Sequence, residues 1–125
     1  MKLAVFSDVH GNLPALEAAL AAIQAEGCET IVHCGDAFVG GPHPEACLDL
    51  LLRTPNLHPL MGTHDAWFAD GLRDPLPSLM DEDELQHQRW IHAHLDPGLR
   101  AVVAKWPTVL QAEYEGVRVA CMHYE

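Results

Sequence analysis

Three short apolar segments, each followed by a polar motif and separated by stretches with helical spacing, constrain this chain more than any other feature. The apolar segments are residues 3–6, 30–33 and 57–61. The motifs that follow them are Ser7-Asp8-Val9-His10-Gly11-Asn12, Cys34-Gly35-Asp36 and Gly62-Thr63-His64-Asp65. Continuous apolar segments of this length are typical of buried strands. Because the carboxyl ends of parallel strands meet at one edge of an α/β sheet, we expect the three motifs to lie together there.

The stretches between these strands have the spacing of amphipathic helices. Apolar residues recur at intervals of three and four between Leu13 and Ile23, and Gly27 is a typical helix end. A second helix is expected to begin at Pro44 and to end before Pro55. The resulting β-α-β-α-β order predicts a parallel sheet with right-handed crossovers.

The pattern changes after the third strand. Residues 65–80 contain two prolines and are predicted to form a loop with one helical turn. Residues 81–84 are acidic and begin a predicted helix, where their charge suits the helix dipole, so we expect them to face solvent rather than a cation. Residues 110–114 alternate in polarity, and residues 117–122 are more apolar, which predicts an antiparallel hairpin whose second strand is the more buried.

Composition limits the partners and the compartment. Acidic residues outnumber basic ones 18 to 7, giving a formal net charge of -11, so neither nucleic acid nor a membrane surface is expected as a partner. The four cysteines form no C-x-x-C pair and are predicted to be reduced. Neither a signal-peptide core nor a membrane-spanning apolar run is present in the sequence. We therefore expect one cytoplasmic domain over residues 1–125.

The strand-end motifs contain the residue types of a metal site. Asp8 and His10 are two residues apart where an extended strand ends, so their side chains can face the same point. A carboxylate beside an imidazole favours Mn, Fe, Zn or Ni. Asp36 has two carboxylate oxygens and can bridge two cations. Each motif alone is better explained as a capped turn, but three successive ones predict a metal-dependent phosphoesterase.

Two further motif residues are candidates for catalysis and one for phosphate binding. His64 has Asp65 beside it, and an imidazole held by a carboxylate is suited to protonating a leaving oxygen. Asn12 is expected to cap the first helix, where backbone donors can receive a phosphate group. We therefore predict His64 and Asp65 as catalytic residues and Asn12 as a substrate-binding residue.

The three motifs resemble those of the calcineurin-like metallophosphoesterase superfamily, in its small prokaryotic phosphodiesterase branch. The resemblance implies a sandwich of mixed β-sheets flanked by helices. It also implies that Asp8 and His10 hold a first cation and that Asp36 bridges to a second. His123, at the end of the last predicted strand, would then bind the second cation, and His64 would be the acid near the leaving group.

The chain departs from the family pattern at the second cation. Thr63 stands where the family has a metal-binding asparagine, and Tyr124 replaces the glycine usually found after the position of His123. No Gly-His-x-His motif follows in this sequence, so the resemblance implies one well-supplied metal site and a second that is short of ligands. Thr63 is retained as a substrate-binding candidate.

The expected activity is hydrolysis of a small phosphate ester, either a phosphodiester or a phosphomonoester, by an impaired binuclear centre. Two alternatives stay open, namely a non-catalytic scaffold with the same fold and a truncated fragment of a longer protein. We also expect an incompletely covered second sheet with an edge at residues 117–122, and thus self-association into a homo-oligomer.

Overall fold

The computed structural model describes residues 1–72, 74–78 and 80–124. The strands are β1 (Leu3–Phe6), β2 (Thr30–His33), β3 (Leu57–Pro59), β4 (Val109–Tyr114) and β5 (Val117–Met122). The helices are α1 (Leu13–Ala25), α2 (Pro44–Arg53), α3 (Thr63–Asp70), α4 (Glu82–His94) and α5 (Gly98–Ala104). The predicted parallel half, followed by helices and an antiparallel hairpin, is confirmed.

The first three strands form a parallel sheet in the order β1-β2-β3. The central strand β2 is buried, with Val32 and His33 fully inaccessible to solvent. The outer strand β1 pairs only with β2 among the described residues, and it is only half-buried, with Val5 52% exposed. The prediction of a buried first strand was therefore correct that residues 3–6 form a strand but wrong about its burial.

Helices cover one face of this sheet. The Asn12 side chain accepts a hydrogen bond from the Ala15 backbone N–H at 3.1 Å, which caps the start of α1, and Pro44 begins α2. Apolar side chains from the helices and from the segment after β2 pack into the larger core cluster. Its buried members are Leu16, Ala37, Phe38, Val39, Cys47, Leu48, Leu51, Phe68, Ile91, Leu95, Val103 and Trp106.

The hairpin of β4 and β5 contributes to a second, smaller core cluster. Cys121 and Leu110 pack there with Val32 and Leu3 of the parallel sheet. Only Cys121 is buried in β5, and Val117 is 61% exposed, so the prediction that this strand is the more buried one was wrong. The cause is that no other element covers the side chains of Val117 and Met122 in the part of the chain that the structure describes.

The segment predicted as a loop between residues 65 and 80 begins as a helix, α3. The carboxylate of Asp65 accepts the backbone N–H of Gly62 at 2.9 Å, which stabilises the first helical turn. The two prolines follow the end of this helix and do not interrupt it. Helix α3 packs against α4 and α5. No helix among the described residues is long and apolar enough to span a membrane.

Candidate metal centre

Five side chains meet where β1, β2, β3 and β5 end: Asp8, His10, Asp36, His64 and His123. Oδ2 of Asp36 lies at the centre of this arrangement. It is 3.1 Å from Nδ1 of His64, 3.3 Å from Nε2 of His123 and 3.7 Å from Nε2 of His10. Oδ1 of Asp8 is 3.3 Å from the same His10 nitrogen. The predicted convergence of the motifs at one sheet edge therefore brings nitrogen and oxygen donors to a common point.

These side chains divide into two sets whose donor atoms lie within 4.8 Å of one another. We call His10, Asp36 and His64 the His64 group, and Asp8, Asp36 and His123 the His123 group. Asp36 belongs to both, as expected of a bridging carboxylate. Asp8 and His10, which the resemblance assigns to the same cation, fall into different groups. Mixed carboxylate and imidazole donors fit a divalent transition-metal ion at either group.

Three of these residues have a left-handed backbone conformation. The φ angles are 60° at Asp8, 49° at His10 and 57° at Asp36, and the described residues contain only two other non-glycine residues of this kind. Backbone hydrogen bonds between the first two motifs hold them, from Asp8 N–H to the Gly35 carbonyl at 3.0 Å and from His10 N–H to the Asp36 carbonyl at 2.9 Å. Such conformations cost energy and concentrate at functional sites.

The second and third motifs approach each other very closely at Gly35, whose φ is 103°. A Cβ atom at this position would lie 2.6 Å from the backbone nitrogen of Gly62 and 3.0 Å from Nδ1 of His123. Only glycine fits this contact without displacing backbone. The close approach is what allows Asp36 to reach side chains from both β3 and β5.

Two of the histidines are oriented by backbone carbonyls. Nδ1 of His10 donates to the Val39 carbonyl at 2.8 Å, and Nδ1 of His123 donates to the Cys34 carbonyl at 2.8 Å. These bonds fix the tautomer in which Nε2 has a free lone pair directed at the carboxylates. A hydrogen bond to the outer ring nitrogen is the usual arrangement for a metal-binding histidine.

The ionisation of Asp36 and His64 is coupled. Burial alone raises the pKa of the Asp36 carboxyl, but hydrogen bonds from the His64 ring and backbone N–H outweigh it, so the pKa lies below its usual value. The hydrogen bond to Asp36 raises the pKa of His64 against the opposing effect of burial. The site therefore favours an ionised carboxylate beside a protonated imidazole.

Asp65 occupies a different place from the one expected. Its carboxylate does not hold the His64 ring but accepts three backbone N–H groups, from Asp36 at 2.8 Å, Gly62 at 2.9 Å and Ala37 at 3.2 Å. The side chain is fully buried, and burial raises the pKa of its carboxyl group. Asp65 thus braces the second and third motifs against each other from beneath the site.

The two substrate-binding candidates lie at the edges of the site. The Asn12 side chain is engaged in capping α1. The Thr63 hydroxyl hydrogen-bonds the hydroxyl of Tyr124, whose ring contacts that of His123 with 4.5 Å between centroids. Both candidates are near the metal-binding motifs, but neither side chain belongs to the His64 group or the His123 group.

Sequence analysis missed two side chains of α4 that reach the site. Glu84 bonds Nε2 of His64 at 2.7 Å, and Nε2 of His87 accepts the Gly40 backbone N–H at 2.9 Å. Burial lowers the pKa of His87, in agreement with an unprotonated accepting nitrogen. The two residues are three apart and share a helix face, which was the available signal, but the acidic turn was assigned to solvent.

The family model of the calcineurin-like phosphoesterases matches residues 1–125. The chain therefore belongs to the calcineurin-like phosphoesterase family, and the predicted resemblance is confirmed. Membership of this family implies divalent metal ions as cofactors, and the donor chemistry of the His64 group and the His123 group fits them.

Individual proteins resemble parts of this chain in sequence or structure. An uncharacterized protein of Methanocaldococcus jannaschii is 40% identical over 63 residues, which are 50% of this chain and 26% of that protein. A metallophosphoesterase from Sphaerobacter thermophilus has a TM-score of 0.65 at 28% identity, covering 88% of this chain and 43% of its own.

Two more distant structures show the shared fold. A hypothetical protein from Pyrococcus horikoshii has a TM-score of 0.76 at 21% identity, covering 94% of this chain and 52% of its own. The phosphoesterase Yfce of E. coli has a TM-score of 0.55 at 20% identity, covering 99% and 58%. The chain thus spans between about a quarter and three fifths of the length of these relatives.

Proposed function

We propose that this chain hydrolyses phosphodiesters or small phosphomonoesters with the help of bound divalent cations. The observation that carries the proposal is the position of Asp36 Oδ2, which has a ring nitrogen from each of three histidines within 3.7 Å. The imidazoles of His10 and His123 form with the carboxylate the kind of donor set that binds divalent transition metals, and the third imidazole, that of His64, is left as a proton donor. Family membership supports phosphate-ester hydrolysis as the chemistry.

The proposed metals are Mn, Fe, Zn or Ni, with manganese the first to test. Asp8, His10, Asp36 and His123 would hold the cations, with Asp36 shared between them. Bound cations of this kind supply an activated water and stabilise the negative charge that develops on the phosphoryl oxygens. The low pKa of Asp36 supports its role because the carboxylate stays ionised at neutral pH.

His64 is the proposed general acid. Its Nδ1 faces the central carboxylate, and its raised pKa keeps the ring protonated over a wider pH range. As the bond between phosphorus and the leaving oxygen breaks, the ring gives its proton to that oxygen. The Thr63 hydroxyl and the start of α1 at Asn12 are the proposed contacts for the remaining phosphate oxygens. Asp65 would support catalysis by bracing the motifs.

A second candidate function is a non-catalytic scaffold. The observation that favours it is the hydrogen bond between the Thr63 and Tyr124 hydroxyls, which engages the side chain standing where the family has a metal-binding asparagine. A neutral hydroxyl is also a poorer metal ligand than an amide carbonyl. In this case the His123 group would bind metal weakly and the binuclear centre would be impaired.

The proposed partner is a small phosphate ester in the cytoplasm. The net charge of -11 supports neither nucleic acid nor an anionic membrane as a partner. Homo-oligomerisation is proposed through the β4–β5 hairpin, supported by the exposure of Val109, Val117 and Met122. Light scattering at micromolar protein concentration tests it, and a strictly monomeric species would contradict it.

The activity is tested by metal analysis of the purified chain and by turnover of a chromogenic phosphodiester after addition of Mn²⁺. We expect bound metal and turnover in the wild type, and loss of both in Asp36→Asn. Asp49→Asn is the matched control, because Asp49 is exposed and pairs only with Arg53 on α2. Bound metal without turnover would favour the scaffold, and turnover that survives Asp36→Asn would contradict the proposed centre.

A further inference from the structure

We propose that Glu84, in the first turn of α4, is a positioning residue that sets the orientation of the His64 ring. This inference rests on the proposed phosphoesterase function, in which His64 is the general acid. It assigns a role in the reaction to a helix that lies outside the three strand-end motifs.

The His64 ring is held at both of its nitrogens. Nε2 is 2.7 Å from Oε1 of Glu84, and Nδ1 is 3.1 Å from Oδ2 of Asp36. The ring is also contacted by the rings of His10, with 5.1 Å between centroids, and Trp67, with 4.8 Å. Rotation about the bond to the ring would break the Glu84 contact, so Glu84 keeps Nδ1 directed at the centre.

Glu84 is itself held in place by its helix. The Asp81 carboxylate accepts the Glu84 backbone N–H at 2.8 Å, which fixes the first turn of α4. One turn further on, His87 accepts the Gly40 N–H at 2.9 Å. The helix is therefore attached to the site at two points. The Glu84 side chain is 29% exposed, whereas Glu82 in the same turn faces solvent and bonds only Gln86.

The chemical consequence concerns the departure of the leaving group. A water molecule releases one proton to solvent and its oxygen forms the new bond to phosphorus, the bond to the leaving oxygen breaks, and His64 Nδ1–H transfers its proton to that oxygen. Glu84 keeps its hydrogen bond to Nε2–H throughout, and the imidazole is left neutral. Correct orientation of the donor matters most when the leaving group is a strong base and needs the proton early.

The kinetic test compares two phosphodiesters that differ only in the leaving group, phenol or p-nitrophenol. Glu84→Ala is expected to lower kcat by about 10–100-fold for the phenyl ester, with a much smaller loss for the p-nitrophenyl ester and little change in KM. Glu84→Gln should recover most of this loss, because its amide oxygen still accepts a bond from Nε2–H. Glu82→Gln is the matched control and should behave as wild type.

A second measurement follows the contact itself. In ¹⁵N-histidine-labelled protein the Nε2–H of His64 should exchange slowly with solvent in the wild type and in Glu84→Gln, and rapidly in Glu84→Ala. An active wild type with equal losses for both esters, or with a Glu84→Ala variant that retains full kcat and slow exchange, would overturn this inference alone. A wild type that turns over neither ester with Mn²⁺ would overturn the proposed function and this inference with it.

Discussion

The His64 group and the His123 group share Asp36 but differ in how their other members are held. In the His64 group both histidines have a second hydrogen bond, His10 to the Val39 carbonyl and His64 to Glu84. In the His123 group His123 is held by the Cys34 carbonyl, whereas the Asp8 side chain is half-exposed, with its carboxylate hydrogen-bonded to Ser7 and 3.3 Å from His10. Each histidine of the His64 group is thus oriented by a hydrogen bond from outside the group, whereas the His123 group includes one half-exposed carboxylate, that of Asp8.

The donor types differ as well. Apart from His64, which is the proposed general acid, the His64 group offers one imidazole and one carboxylate, and the His123 group offers two carboxylates and one imidazole. Imidazole favours zinc and nickel, whereas carboxylate favours manganese. One bridging residue can thus serve two sites with different donors, and we expect the two groups to differ in metal preference as well as in affinity.

The largest effect on metal binding and turnover is expected at Asp36, because this residue belongs to both groups. Asp36→Asn removes one carboxylate from both groups, so metal binding at both should weaken together. Phosphodiester turnover should fall by at least ~100-fold, since bound cations supply several kcal/mol of transition-state stabilisation. Calorimetric titration with Mn²⁺ and Zn²⁺ checks this, with Asp49→Asn as control. Loss at one group only would show that Asp36 does not bridge.

The next largest effect is a loss of stability at Asp65, whose carboxylate holds the backbone of the second and third motifs together. Asp65→Ala leaves three buried backbone N–H groups without their acceptor, and the free energy of unfolding should fall by about 3 kcal/mol. Urea denaturation measures the loss. Asp70→Ala, at the exposed end of the same helix, should change stability little. An equally small effect of Asp65→Ala would mean that the brace is not required.

A pH effect is expected at His33, which supports the shared residue from β2. Its Nδ1 accepts the Gly35 N–H at 3.2 Å, and burial lowers its pKa from 6.5 to about 4. Because the unfolded state binds the proton more readily in that range, this stability is present above pH 6.5 and is lost as pH falls toward 4.

The expected loss of unfolding free energy from His33 is about 2 kcal/mol between a pH near 7.5 and a pH near 5. Urea denaturation at both pH values checks it. His33→Gln should lose less stability than the wild type over this interval, while His58→Gln, at an exposed position of β3, should lose as much as the wild type. Equal losses in all three proteins would contradict the assignment.

The smallest effect is expected on the metal affinity of the His123 group alone. Thr63→Asn places an amide carbonyl where the hydroxyl now bonds Tyr124, and should tighten metal binding at the His123 group by about tenfold, or ~1.4 kcal/mol. The His64 group should keep its affinity. Calorimetric titration with Mn²⁺ resolves the two sites, and Thr108→Asn at an exposed position is the control. Unchanged affinity would exclude position 63 as a ligand position.

The sequence predicted which side chains lie together where local rules decide their positions. Asp8, His10, Asp36 and His64 follow strands whose parallel order is encoded by the spacing of apolar residues, and that order alone brings them together. The bracing role of Asp65 was missed. The sequence His64-Asp65 is compatible both with a carboxylate that holds the histidine ring and with a buried carboxylate that accepts backbone N–H groups.

Other features depend on contacts between distant segments. Glu84 contacts His64 although the two residues are 20 positions apart in the sequence. The periodicity of α4 does not distinguish a polar helix face that contacts the site from one that is exposed to solvent. The exposure of β5 was mispredicted for a related reason, since its apolar residues indicate burial but not whether another layer covers them. The segment containing helix α3 was predicted to be mostly a loop because of prolines that lie beyond the end of the helix.

The left-handed conformations of Asp8, His10 and Asp36 place stability and metal binding in opposition. A non-glycine residue in this region costs about 1 kcal/mol relative to glycine, and three such residues adjoin within one site. Replacing Asp8 by glycine would therefore relax the backbone and raise the thermal midpoint of the metal-free chain while it deletes a ligand. A search for thermostable variants carried out without metal would select against the site, whereas the same search with metal present would retain it.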